Sequence, residues 1–364
     1  MNKKALIAMS GGVDSSVAAA RMLEEGYDCV GATMRLYDNE GIGIPRENIC
    51  CTLSDVQDAR EVALRLNIPY YVFNFKRDFA GAVIDRFVQA YERGETPNPC
   101  IDCNRYLKFQ KLYQRAKLLA CDTIVTGHYA QIEFDENRGR WLLKKARNAD
   151  KDQSYVLYFM TQQQLACTRF PLGVFEKKDE VRALAEQYGF SNARKRDSQD
   201  ICFVQGRDYA AFIERYTGKN YPSGPFVDSS GQVLGTHRGI IRYTVGQRKG
   251  LGLSLPSPLY VCEKCPQENA VVLCGESGLY SKRLVASDFN WIAYDKPKQP
   301  IRVTAKTRYR AKEAPATAFV QADGTVELVF DEPQRAVTEG QAVVLYEGDS
   351  VAGGGTIQRV IRER

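Results

Sequence analysis

The chain has 364 residues, with 50 Lys and Arg against 44 Asp and Glu and a hydrophobic content of 44%. That length exceeds one ordinary hydrophobic core, so two or three packed units are expected. No run approaches the roughly 18 apolar residues of a membrane span. Residues 1–12 lead straight into a glycine turn without a signal-peptide cleavage pattern, so no membrane partner is expected and the cytoplasm is the default compartment. The 11 cysteines would then be reduced, and they raise questions of chemistry or metal binding rather than of a disulfide scaffold. His128 and His237 are the only 2 histidines, which gives little support to a histidine triad or a multi-histidine metal site.

The first part of the chain alternates short apolar runs with helical patterns. Ala5 to Met9 reads as a buried strand, Ser15 to Glu25 as a helix, and Cys29 to Met34 as a second strand. Ser54 to Leu66 reads as a helix opened by a Ser54/Gln57 capping box. Tyr70 to Phe75 and Thr123 to Thr126 continue the strand series. This alternation predicts a doubly wound parallel sheet with helices on both faces, over residues 1–204.

Beyond about residue 205 the texture changes to glycine turns and short strands. A small mixed or β central domain is expected over 205–283 and a C-terminal β-barrel over 284–364. Ser229-Ser230-Gly231, Ala322-Asp323-Gly324 and Glu347-Gly348-Asp349 read as hairpin turns. Ile301, Val303 and Ala305 would face a core, while Arg302, Lys306 and Arg308 point outward. Net charge is only +6, but basic residues gather at Arg138 to Lys151, Arg194 to Arg196, Arg238 to Lys249 and Arg302 to Lys312. Such clusters suit either a solvated surface or a nucleic-acid backbone.

The segment AMSGGVDSSV, comprising Ala8, Met9, Ser10, Gly11, Gly12, Val13, Asp14, Ser15, Ser16 and Val17, sits where an apolar strand meets a helix. Gly11 and Gly12 remove side chains where a phosphate would approach the backbone. Ser10, Ser15 and the first helical N–H groups supply donors at the positive helix end. No Gly-Lys-Ser/Thr follows, so this is not a Walker loop. The segment resembles the pyrophosphatase-type loop of the ATP-splitting enzymes that include argininosuccinate and GMP synthetases and the transfer-RNA thiolases. That resemblance implies adenylation, with ATP cleaved between its α and β phosphates. Met34 and Gly127 end predicted strands at the edge where open α/β sheets bind ligands.

Three thiols stand apart from the rest. Cys100 and Cys103 lie in TPNPCIDCNRYLKF, and Cys202 lies in ARKRDSQDICFV about a hundred positions downstream. A persulfide mechanism needs one thiol to carry sulfur and a second to attack the resulting linkage. Arg194, Lys195 and Arg196 would favour a Cys202 thiolate, and Asp197 and Asp200 would oppose it. Cys262 and Cys265 in YVCEKC could bind metal with Cys274 or with Cys50 and Cys51. Cys29, Cys121 and Cys167 read as small core residues, and His237 as a polar loop residue.

TPNPCIDCN, GHY at Gly127 to Tyr129, KDQSY at Lys151 to Tyr155, the Cys202 segment, YTVGQRKGLG at Tyr243 to Gly252 and KTRYR at Lys306 to Arg310 occur in one order along nearly the whole chain. In this it resembles the tRNA-specific 2-thiouridylases of the MnmA type, mitochondrial TrmU included. The resemblance implies that Cys202 receives a persulfide and that Cys103 is the second catalytic cysteine, the pair passing through a disulfide. It implies that Ala8 to Ser15, Met34 and Gly127 touch ATP carried with Mg2+. Asn98, Pro99 and Cys100 would border the target uridine, while His128, Lys151, Asp152, Gln153, Arg308, Tyr309 and Gln341 would contact tRNA. The tRNAs for Lys, Glu and Gln are the implied substrates, and a cysteine desulfurase or sulfur-relay protein is the implied donor. An enzyme acting on a base must take it out of its stack, which suits a loop uridine.

The usual pattern has aspartate at position 100, so Cys100 puts a proposed proton-handling role in doubt. It also opens an alternative, an iron–sulfur cluster held by Cys100, Cys103 and Cys202. Two further readings are an ATP-dependent synthetase making an amide or guanidine and a non-catalytic nucleotide- and RNA-binding protein. Neither requires the paired remote thiols.

Overall fold

A computed structural model describes residues 3–37, 53–195, 197, 200–204, 206, 208–254 and 257–362. Its first unit is a five-stranded parallel sheet of order β3-β2-β1-β4-β7. The strands are β1 (Lys4–Ala8), β2 (Asp28–Arg35), β3 (Tyr70–Asn74), β4 (Thr123–Thr126) and the short β7 (Thr168–Arg169). Leu6 and Ile7 of β1 and Val30 and Ala32 of β2 are buried, as a sheet covered on both faces requires. Helices α1 (Val13–Glu24), α2 (Leu53–Arg65) and α8 (Lys178–Gln187) cover one face through Val17, Val62 and Val181. The other face carries α3 (Lys76–Phe79), α4 (Asp85–Glu92), α5 (Pro99–Asp102) and α6 (Leu112–Leu118), with Phe79, Phe87 and Leu112 in its core, while Leu165 of α7 (Gln162–Ala166) belongs to a third apolar cluster. Helix α2 begins at Leu53, one residue ahead of the expected start at Ser54.

The chain runs outward from β1 to β2 and β3, then returns to place β4 on the other side of β1. This reversal is a topological switch point, and it opens a crevice at the carboxyl ends of β1 and β4. The glycine-rich turn after Ala8 and the Gly127-His128 pair after Thr126 both emerge there.

Helix α9 (Tyr209–Thr217) leads into a mixed four-stranded sheet of order β10-β11-β8-β9. These strands are β8 (Gly224–Val227), β9 (Val233–His237), β10 (Tyr260–Cys265) and β11 (Ala270–Cys274). Its buried Phe226, Val261 and Val271 belong to the same core cluster as Phe79 and Phe87 of the first unit, joined through Phe203 and Phe212. The three expected hairpin turns each connect antiparallel strands.

The C-terminal strands are β12 (Tyr280–Trp291), β13 (Ile301–Lys306), β14 (Ala314–Val320), β15 (Val326–Arg335), β16 (Ala342–Glu347) and β17 (Ser350–Ile361). They run β12-β15-β14-β13-β16-β17, and pairing of β12 with β17 closes the barrel. A hairpin from the first unit, β5 (Gln131–Asp135) and β6 (Arg140–Lys144), joins the barrel's sheet where Lys144 meets Ser350. Tyr155 and Leu157 of the first unit pack with Val344 and Tyr346 of the barrel, so the units share apolar seams. Among the described residues no helix is long and apolar enough to cross a membrane.

Candidate active site

The turn after β1 is shaped for an anion. Gly11 has φ +75°, and a Cβ there would lie 2.3 Å from the Asp55 carbonyl oxygen. Gly12 caps α1 without a side chain of its own. Ser15 Oγ accepts from Ser10 N at 3.2 Å and donates to Gly12 O at 2.9 Å, while Ser16 Oγ donates to Gly12 O at 3.1 Å. Asn192 Nδ2 donates to Gly11 O and Ser16 Oγ at 3.0 and 2.9 Å, holding the turn from behind. Lys195 Nζ pairs with Asp55 and Asp58 at 2.5 Å each and so ties α2 to the same turn. Gly127 closes against this cradle: a Cβ on it would lie 2.8 Å from the Asp14 carbonyl carbon and the Ser15 nitrogen.

Asp14, in the first turn of α1, accepts from Lys178 Nζ at 2.6 and 2.7 Å and from Tyr129 Oη at 2.7 Å. Lys178 also pairs with Asp197 at 3.0 Å, and Lys151 pairs with Asp197 at 2.8 Å. Burial pushes the Asp197 carboxyl up, but hydrogen bonds from Lys151 and Lys178 outweigh it and hold the group below its usual range. The network connects the phosphate turn, the Lys151 segment and the chain that leads to Cys202. Met34 is half-buried at the end of β2, where the preceding Thr33 donates to Met9 O at 2.7 Å.

The cysteine recess adjoins this cradle. Asn98 caps α5, its Oδ1 accepting from Cys100 N at 3.1 Å, and Pro99 fills the first helical position. Cys100 reaches solvent, yet the recess surrounds it closely enough that burial raises its thiol. Cys103 opens a π-helical stretch, Cys103–Lys111, and burial pushes its thiol up to about 11. Asp102 is raised by burial although Arg86 pulls it down. His128 is buried, with Nδ1 2.7 Å from Thr126 Oγ1, and burial holds its imidazole well below its usual value and therefore neutral. Cys202 packs against the same apolar cluster as Cys103, and its carbonyl accepts from Tyr37 Oη at 2.8 Å.

Cys100, Cys103 and Cys202 do not assemble into a ligand set. Among the described residues no group of three or more His, Cys, Asp or Glu side chains stands ready to hold a metal ion. These thiols therefore do not fit an iron–sulfur cluster in this arrangement. Cys262 forms a disulfide with Cys274 across β10 and β11, so the two are not paired metal ligands with Cys265. Cys50 and Cys51 lie outside the described residues. Cys29 and Cys121 are core residues, and Cys167 is half-buried with its thiol donating to Gln164 O at 3.5 Å.

Several residues expected at the RNA are tied to internal partners. Arg308 turns inward, contrary to the outward alternation expected of it, and its Nη2 donates to Ala336 O and Thr338 Oγ1 at 2.7 Å. Gln341 Nε2 donates to Thr96 O at 2.6 Å. Asp152 accepts from Ala146 N and Ser154 Oγ at 3.0 and 2.8 Å, and Gln153 Oε1 from Tyr129 N at 2.9 Å. Tyr309 stays exposed at the recess rim. His237 is a fully buried strand-end residue, not a loop residue, with Nε2 2.9 Å from Asn269 O. Sequence reading gave no role to Lys108 and Tyr129, although both lie inside quoted motifs, and missed Lys178 and Asn192, which no motif spacing marks.

A glycine cradle at the switch point of a parallel sheet, extended by two β domains, defines a nucleotide-binding α/β protein of the HUP class. Residues 3–206 match the model of the tRNA methyl transferase HUP domain, 210–275 that of the tRNA methyl transferase PRC-barrel domain, and 281–357 that of the aminomethyltransferase beta-barrel domain. The chain is 48% identical to the tRNA-specific 2-thiouridylase MnmA of Clostridioides difficile, covering 99% of both chains. It is 53% identical to the MnmA of Acetivibrio thermocellus, covering 98% of this chain and 99% of that one. A solved 4-thiouridine synthetase–RNA complex with bound ATP aligns over 59% of this chain and 53% of that one, at 17% identity and a TM-score of 0.36. The chain belongs to the tRNA-specific 2-thiouridylase MnmA family.

Proposed function

We infer that the protein is a tRNA-uridine 2-sulfurtransferase that uses ATP to activate the C2 carbonyl of a wobble uridine and replaces its oxygen with sulfur. One observation carries this reading. Gly127 packs on the phosphate turn while the next residue, His128, stands beside Lys108 in the cysteine recess, so consecutive residues join the two halves of the site.

The uracil O2 attacks the α phosphate of ATP, and pyrophosphate departs into the cradle formed by the turn and the N-terminus of α1. Mg2+ would travel on the ATP phosphates and offset their charge. The terminal sulfur of a Cys202 persulfide then attacks C2 and AMP leaves with the oxygen. Cys103 attacks Cys202 Sγ, the Cys202 sulfur–sulfur bond breaks, and 2-thiouridine remains with a Cys103–Cys202 disulfide. An external thiol reduces that disulfide, and a cysteine desulfurase or sulfur-relay protein supplies the next persulfide. Asn98, Pro99 and Cys100 border the base, with Lys151 and Tyr309 facing the RNA. Asp152, Gln153, Arg308 and Gln341 support that surface from behind. The tRNAs for Lys, Glu and Gln are the proposed substrates, and 1–204, 205–283 and 284–364 the proposed catalytic, central and barrel domains.

An anaerobic assay with the purified chain, ATP, a persulfide donor and unmodified tRNA tests the reading. Thiolated tRNA and AMP are expected from iron-free protein, and no product from Cys202→Ser. Product from Cys202→Ser, or AMP formed with small acids but not with tRNA, would overturn it.

A further inference from the structure

The recess holds a lysine that none of these steps uses. Lys108 lies five residues after Cys103 within the π-helical stretch. In an α-helix, at about 100° per residue, a side chain five positions on would point roughly 140° away. A π-helix closes its bonds from i to i+5, so residues five apart come onto one face. The unusual winding therefore turns Lys108 toward the face that carries Cys103.

The end of β4 fixes where the ammonium sits. Lys108 Nζ lies 3.5 Å from His128 Nε2. The imidazole is packed against Phe109 and Phe170 and is kept neutral, first by burial and then by Lys108 itself. Among the described residues no carboxylate forms an ion pair with Lys108. Among the described residues, the thiols it acts on are Cys103 and Cys100. Burial raises both thiols and Lys108 opposes that rise on each, while Cys100 and Asp102 push Cys103 further up. Cys100, as a neutral thiol, does not compete for the ammonium as a carboxylate would.

We propose that Lys108 is a catalytic residue of sulfur transfer, its ammonium pairing with the thiolate of Cys103 that attacks the Cys202 linkage. This rests on the assignment of Cys103 above. Cys103 gives its proton to water, and its Sγ anion is held by Lys108 Nζ. It then forms the bond to Cys202 Sγ as the bond between Cys202 Sγ and the transferred sulfur breaks. The electron pair leaves on the sulfur attached to C2, and N3 of the uracil takes a proton from water. Nothing further is consumed.

The test compares the full-length chain with Lys108→Met, Lys108→Gln and Lys108→Arg. The alkylation rate of Cys103 by iodoacetamide is followed from pH 7 to 10 by mass spectrometry, with fragment ions separating it from Cys100. Removing the charge is expected to slow Cys103 alkylation roughly tenfold across that range, which lies below the thiol's raised value of about 11, with Lys108→Arg restoring most of the rate. Single-turnover thiolation should slow in the same order with the KM for ATP unchanged. An unmoved Cys103 profile in both neutral variants overturns the role of Lys108, even where Cys103→Ser abolishes product and leaves the wider reading standing. Product formation by Cys103→Ser would overturn both.

Discussion

Gly127 has no room for a side chain, because a Cβ would stand 2.8 Å from backbone atoms of Asp14 and Ser15, and backbone does not step aside as a flexible side chain can. Gly127→Ala should push the start of α1 away from β4 and open the phosphate cradle. We expect the KM for ATP to rise at least about tenfold with far-UV circular dichroism unchanged, since the loss is of aligned donors and not of core. Steady-state AMP release against ATP concentration measures this, and an unchanged KM would contradict the fit of the cradle. At Arg308 the physics is different. Burial pulls its guanidinium below its usual value, and its bonds to Ala336 and Thr338 make it a structural strut. Arg308→Ala should lower stability by roughly 2 kcal/mol in a urea titration, because buried carbonyls lose a charged donor.

At the scale of elements, α1, α8 and the chain before Cys202 are tied by carboxylates and cations in one network. Lys178 is only 11% exposed and touches both Asp14 and Asp197. Lys178→Met would leave two part-buried carboxylates short of a partner and should cost about 2 kcal/mol at neutral pH. The sign with pH follows from Asp197, whose carboxyl is lowered in the fold. Its stabilising contribution is present above the unfolded carboxylate range and fades as pH falls through the folded value, so the two proteins should converge in acid. Urea titrations at pH 7 and pH 2 check this, and a difference undiminished at pH 2 would contradict it. The strands and the glycine turn were legible in the sequence because apolar runs, turn residues and helix starts are local signals. The π-helical winding after Cys103, the inward turn of Arg308 and the burial of His237 were not, because partners distant in the chain decide each of them.

At the scale of the molecule, the segment leading to Asn98 is held from two sides, by the barrel and by the central sheet. Thr96 N donates to Glu339 O at 2.9 Å and Gln341 Nε2 to Thr96 O, so the barrel grips the segment leading to Asn98. From the central sheet, Lys264 donates to Glu95 O at 3.3 Å beneath the ring of Tyr91. Burial lowers Lys264 to about 8, so at neutral pH the fold bears the cost of a buried charge. Lys264→Met should therefore raise the Tm at pH 7, and its advantage should shrink as pH rises past about 8 and the native lysine sheds its proton. Differential scanning calorimetry across that range checks the sign, and a lower Tm at every pH would contradict it. Three domains in order were readable from texture and turns, but the hairpin of β5 and β6 joining the barrel and the grip on Thr96 arise only on assembly.

Single-turnover thiolation, quenched with an alkylating agent and mapped by mass spectrometry, tests the convergence of nucleotide cradle and thiols most directly. The account predicts one Cys103–Cys202 disulfide for each 2-thiouridine formed, and tRNA held covalently on Cys202 when Cys103 is serine. Thiolated product without that disulfide would contradict it.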